Sequence, residues 1–184
     1  MEFACLDLVN SDWHDHRGSG SRREYLDDRA WLTRFADKWG FSEAGEPDGT
    51  AVARLKYLRA LLREMLEALA EGKRPSARQV SELNSVMGAS PTVRVLQASG
   101  ESYRLELVPK AKDWDWVAAE IAASFAEMVT KHDPTRVRVC ANPVCHWVFY
   151  DESRNRTRRW CENTCANLLK VRRFRERRRN PKST

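Results

Sequence analysis

The strongest constraint on how this chain can fold sits near its C-terminus. Cys140, Cys145, Cys161 and Cys165 are spaced C-x4-C-x15-C-x3-C. Two cysteine pairs at short internal spacing can place four thiolates around one tetrahedral ion, the usual ligand set of structural zinc. The roughly fifty residues around them cannot bury much apolar surface, so an ion has to stand in for a core. A knuckle supplying two ligands and a helix start supplying two more is a treble-clef arrangement. On such a helix Cys161 and Cys165 would sit one turn apart on one face, and the partial positive charge of a helix N-terminus would favour their thiolates. Cys5 has no partner and reads as a small core residue.

Charge is distributed as unevenly as cysteine. From Arg154 onward there are twelve Lys/Arg and two Glu; the rest of the chain has twenty basic and twenty-four acidic residues. The whole positive excess therefore lies in the cysteine-bearing segment, which points to a polyanionic partner, because phosphate contacts release counterions. One cluster, Arg154, Arg156, Arg158 and Arg159, precedes Cys161. A second, Lys170, Arg172, Arg173 and Arg177, follows Cys165, and within it Lys170, Arg173 and Arg177 share one helix face. Arginine suits phosphate forks and guanine edges. Trp147, Phe149, Tyr150 and Trp160 interleave with this charge; they fit a small finger core better than a base-stacking platform. Leu168, Val171 and Phe174 are expected to pack the helix against the finger or the larger domain.

Upstream, hydrophobic periodicity predicts helices over Arg23–Trp39, Ala51–Glu71, from Ser76 to Val86 or Met87, and Asp113–Lys131. The third opens on a Ser76/Gln79 capping box. TVRVLQA and SYRLELV alternate apolar and polar residues around Ser99-Gly100 and read as a β-hairpin. LDLVNS is a short strand or a helix turn, and WHDHRGSGS a loop. TRVRVC and HWVFYD are short strand candidates flanking the first cysteine pair. His132-Asp133-Pro134 marks the boundary between a domain over 1–133 and a finger over 135–184. The fold class is α+β: a mainly helical N-terminal domain with a β-hairpin, plus a small treble-clef-like zinc finger.

Other chemistry is sparse. Asp12, His14, Asp15 and His16 lie close together, but one loop without a partner cluster is a weak basis for catalysis or metal binding. His132 and His146 are not needed as ligands beside four thiolates. No Walker loop, dinucleotide fingerprint or nucleophile elbow occurs, so a non-enzymatic role is expected. Trp31, Trp39, Trp114 and Trp116 serve a core or line an effector cavity. No run of about 18 apolar residues exists and the N-terminus lacks a secretory layout, so a cytoplasmic protein without a membrane span is expected. In a reducing compartment, paired cysteines favour metal over disulfide.

Together these residues resemble the CGNR zinc-finger family: Cys140, Cys145, Trp147 to Phe149, Asp151, Ser153 to Asn155, Arg158 to Cys161, Cys165, and Lys170 to Arg173. The tetrad that names the family departs here, reading Cys165-Ala166-Asn167-Leu168. FACLDLVNS resembles the opening of the ABATE domain that precedes such fingers. The resemblance implies a bacterial, stress-linked transcription regulator. Its cofactor would be Zn2+ and its partner double-stranded DNA; a small-molecule effector and a homodimer are both compatible with that role. RNA binding through the same basic face, or a protein-interaction module with a basic tail, are the alternatives.

Overall fold

The computed structural model describes residues 1–179; of Arg173, Arg177 and Arg179 it describes the backbone only, so the expectations for the Arg173 and Arg177 side chains lie outside the described residues. The chain begins with a short helix, α1 (Ala4–Val9), and a small antiparallel hairpin, β1 (Asp12–His14) with β2 (Arg22–Glu24). Four longer elements follow: α2 (Arg29–Trp39), α3 (Gly49–Ala70), α4 (Ala77–Gly88) and the hairpin β3–β4 (Thr92–Ser99, Ser102–Pro109). Helix α5 (Trp114–Lys131) completes the helical body. A last hairpin, β5 (Val137–Val139) with β6 (Val148–Tyr150), leads to α6 (Asn163–Arg179).

The periodic stripes become the core. Leu55, Leu58, Leu62 and Met65 of α3 are buried, as are Val117, Ile121, Phe125 and Met128 of α5. They pack with Leu8 and Val9 of α1 in one cluster. The Ser76/Gln79 capping box is present, and Asp113 caps α5 by accepting from the Asp115 and Trp116 N–H groups. Cys5 is fully buried, and burial pushes its thiol pKa up to about 12. No helix among the described residues is long and apolar enough to cross a membrane.

Two expectations need correction at the N-terminal end. The helix read from Arg23 starts only at Arg29, because Asp28 is extended and its carboxylate accepts from the Ala30 and Trp31 N–H groups, the geometry of an N-cap. The stretch read as a loop over WHDHRGSGS instead opens with β1, whose turn is organised by Asp15. That carboxylate accepts from the Arg17 and Ser19 N–H groups at 3.0 Å each. The hairpin β3–β4 forms as read, but its apolar side chains face solvent: Leu96, Leu105 and Leu107 are each about two-thirds exposed.

The finger hairpin is not an isolated appendage. Val137, Val148 and Tyr150 belong to the same core cluster as the helical body. Phe149, on the opposite face of β6, packs with the four cysteines, Trp147 and Trp160 in a second cluster. Strand alternation thus lets one short hairpin serve two cores.

Candidate metal centre and basic surface

The four cysteines converge. Their sulfurs all lie within 4.8 Å of one another, and every one of the four residues is buried. The Cys145–Cys161 and Cys161–Cys165 sulfur separations are 3.6 and 3.7 Å. A tetrahedral ion bound to sulfur at about 2.3 Å requires sulfur–sulfur edges of about 3.8 Å. The donor set therefore fits a four-coordinate thiophilic cation. Hydrogen bonds from Cys145 and Cys161 pull the Cys140 thiol down to about 2, while the same contacts with Cys140, aided by burial, push Cys145 up to about 12 and Cys161 higher still.

The backbone that delivers these sulfurs differs from the expectation in one respect. Helix α6 starts at Asn163, so Cys161 lies before it rather than on it, and only Cys165 occupies its first turn. The first pair sits on a knuckle closed by the Cys140 N–H to the Trp147 carbonyl (2.8 Å) and the Cys145 N–H to the Asn142 carbonyl (3.0 Å). His146 takes a left-handed conformation, φ 55°, at the end of that knuckle. Its ring packs against His14 at 4.9 Å, and the His132 ring packs against Phe3 and Tyr150. Neither histidine joins the sulfur cluster.

The basic residues divide by what they touch. Arg154, Arg159 and Lys170 are exposed, with no carboxylate partner among the described residues. Arg156, left-handed at φ 53°, pairs with Asp133 at 2.9 Å. Arg158 lies over the Phe149 ring at 4.9 Å and donates to the Trp160 and Cys161 carbonyls. Arg172 donates to the Arg17 carbonyl at 2.8 Å. Its guanidinium lies so close to Gly18 that a Cβ there would meet it at 2.5 Å. Arg158 and Arg172 thus already hold the fold of this region. The expected packing of α6 through Val171 and Phe174 is not found: they are 46% and 56% exposed. Among the described residues no apolar surface covers Val171 and Phe174, so those side chains face solvent.

Residues that the sequence reading passed over hold the finger to the body. Asn10 is buried and bonds β6 twice: its Nδ2 donates to the Val148 carbonyl (2.8 Å) and its Oδ1 accepts from the Val148 N–H (2.9 Å). Arg63 of α3 donates to the His146 and Val9 carbonyls. Asn142, buried beside Cys165, donates to the His16 carbonyl at 2.9 Å. Asp151 is fully buried, which raises its pKa, yet the Ser153 and Arg158 N–H groups reverse this and hold the carboxyl below the usual range. The polar cluster near the N-terminus is occupied structurally. Asp12 forms a two-point pair with Arg22 and contacts His14, and Asp15 caps its own turn. Among the described residues only the four cysteines make a metal-sized group of such side chains.

Residues 2–132 match the family model of ABATE, described as a putative stress-induced transcription regulator. The chain belongs to the ABATE family. Residues 136–178 match the CGNR zinc finger, so an ABATE domain here precedes the metal-site segment built on the four cysteines. No curated protein matches the chain. Asn10, the last residue of LDLVN, is thus the ABATE side chain that completes the finger's β6 edge.

Proposed function

We propose that this ABATE protein is a zinc-dependent DNA-binding transcription regulator whose N-terminal domain senses a small molecule. It acts by binding, not catalysis, in the cytoplasm, and Cys140, Cys145, Cys161 and Cys165 hold the ion. The observation that carries the reading is the pairing of an ion-sized sulfur cage with an arginine-rich helix emerging directly from it. Zinc supplies structure here: four thiolates leave it no open position for chemistry. Arg154, Arg159 and Lys170 are available for phosphates, and Arg173 and Arg177 extend the same segment. A helix that leaves Lys170, Val171 and Phe174 exposed suits a DNA major groove, which admits one helix. A homodimer would present two such helices to a symmetric site.

The test has two stages. Purified protein should carry one zinc per chain, and Cys161→Ser should lose the metal and nucleic-acid binding together. Binding to duplex DNA and to folded RNA is then measured against salt. Arg154→Ala with Lys170→Ala should flatten the log–log salt slope by roughly one to two units. Preference for folded RNA would replace DNA with RNA as the partner. Absence of salt-dependent binding to either would refute the reading in favour of a protein-interaction module.

A further inference from the structure

Between the helical body and the finger lies a cavity of about 480 Å³, within the size range of small-molecule sites. Its wall is aromatic: Trp13, Tyr25, Trp31 and Phe35 from the body, and Trp147 from the finger. Tyr25 and Trp31 are nearly parallel at 5.9 Å and 16°, as are Trp31 and Phe35 at 5.1 Å and 20°. These three rings are stacked on one another and, with Trp13 and Trp147, give the cavity an aromatic lining that suits another flat ring.

The polar lining narrows the ligand further. Asp7 is committed to Lys38 (2.7 Å) and Trp39 (3.0 Å), and Lys38 is shared with Glu2. His14 contacts Asp12. Left without a partner among the described residues are the Arg34 guanidinium on α2, the Glu162 carboxylate on the finger, and the buried Nε2 of His16. A cation on one wall calls for an acid. A carboxylate on the other, beside a tetrathiolate that stays negative around a divalent ion, calls for a hydrogen-bond donor.

We propose that this cavity binds a flat aromatic acid bearing a ring N–H or O–H, with its carboxylate on Arg34 and its donor turned toward Glu162. The same segment that lines it is wired to the finger. The His16 carbonyl accepts from Asn142, which touches Cys165, and the Arg17 carbonyl accepts from Arg172 of α6. A ligand that fixes Trp13 and His16 therefore fixes the start of the basic helix. This output rests on the nucleic-acid reading above; the cavity itself does not.

Zinc-loaded full-length protein is titrated by calorimetry with indole-3-carboxylate and with neutral indole-3-carboxamide. The acid should bind at least tenfold more tightly than the amide. Arg34→Met, at an exposed position, should weaken the acid about tenfold and leave the amide unchanged. No binding of the acid at millimolar concentration, or equal affinity for acid and amide, overturns the proposal. Nucleic-acid affinity is then measured with and without saturating acid, and a change of at least threefold is expected. Protein that binds both, each without effect on the other, overturns the link to α6. Protein that binds the acid but no nucleic acid supports the cavity and refutes the regulator reading instead.

Discussion

Replacing Asn10 by Ala tests whether the ABATE domain and the finger fold as one cooperative body. Strand β6 pairs with β5 along one edge only. On its other edge the N–H and C=O of Val148, a fully buried residue, are satisfied by the Asn10 side chain alone among the described residues. Asn10→Ala removes both partners and leaves a donor and an acceptor in the core. Each stranded group costs about 1–3 kcal/mol, and partial relaxation makes about 3 kcal/mol the expected total. For a chain of this size, with about 2–4 °C of midpoint shift per kcal/mol, that is a fall of roughly 6–12 °C. Urea denaturation should show the lower midpoint with an unchanged slope, and the Val148 amide should exchange faster. Asn10→Asp sharpens the test. It keeps the acceptor but sets a carboxylate against the Val148 carbonyl, so burial should raise the new carboxyl's pKa. Its deficit should then be full at neutral pH and shrink as pH falls through that raised pKa, where the neutral acid donates as the amide did. A loss under about 1 kcal/mol for Asn10→Ala, with Val148 exchange unchanged, would refute the argument.

Three further outcomes follow from the same contacts. Chelating the metal should expose the knuckle at 140–146 and helix α6 to hydrogen exchange, while β5–β6 stays protected because Val137 and Val148 are anchored in the helical core; loss of the hairpin as well would show that the ion holds all of 135–175. Burial tends to raise the Glu24 pKa, but hydrogen bonds from Arg59 and the Leu26 N–H hold it below the usual carboxylate range. A lowered folded-state pKa contributes stability that is complete above the unfolded value, about 4.3, and disappears as pH falls through the folded one. The stability gap between the wild type and Glu24→Gln should therefore be widest at neutral pH and close in acid, as read by denaturation at each pH. Asp151→Ala should release the loop that carries Arg154 and Arg156, costing about 3 kcal/mol for two charge-assisted bonds and weakening nucleic-acid binding without touching the ligand directly. Asp151→Asn should fall between.

Regular helices were legible because their signals are local. The periodic stripe on α3 and the capping box at Ser76 each need only a few neighbouring residues, and each appears where the spacing puts it. The sulfur cluster was legible for a different reason: four cysteines in two close pairs have few other uses in one short segment. What escaped were choices made by distant partners. Nothing near Asn10 announces that its amide will complete an edge 138 residues away. Arg63 reads as an ordinary helix-surface cation, yet it ties α1 to the knuckle. The spacing of Val171 and Phe174 predicts a packed face that the fold leaves without a partner.

The unforeseen tethers share a location, and that location has a physical meaning. Asn10, Arg63, Asn142 and Arg172 all join the helical body to the finger through main-chain carbonyls or amides. Contacts to main chain constrain the geometry of the partner segment while leaving its side chains unspecified, so they carry no pattern that one sequence can display. They also fix how the two parts are joined. A finger held only by its ion would be indifferent to events in the ABATE domain. Here the His16 and Arg17 carbonyls, continuous with the wall of the 480 Å³ cavity, are gripped by Asn142 beside Cys165 and by Arg172 on α6. Movement of that wall therefore acts directly on contacts made by residues beside Cys165 and on α6. The sulfur cluster gathers the finger, and the carbonyl grips set its orientation on the body.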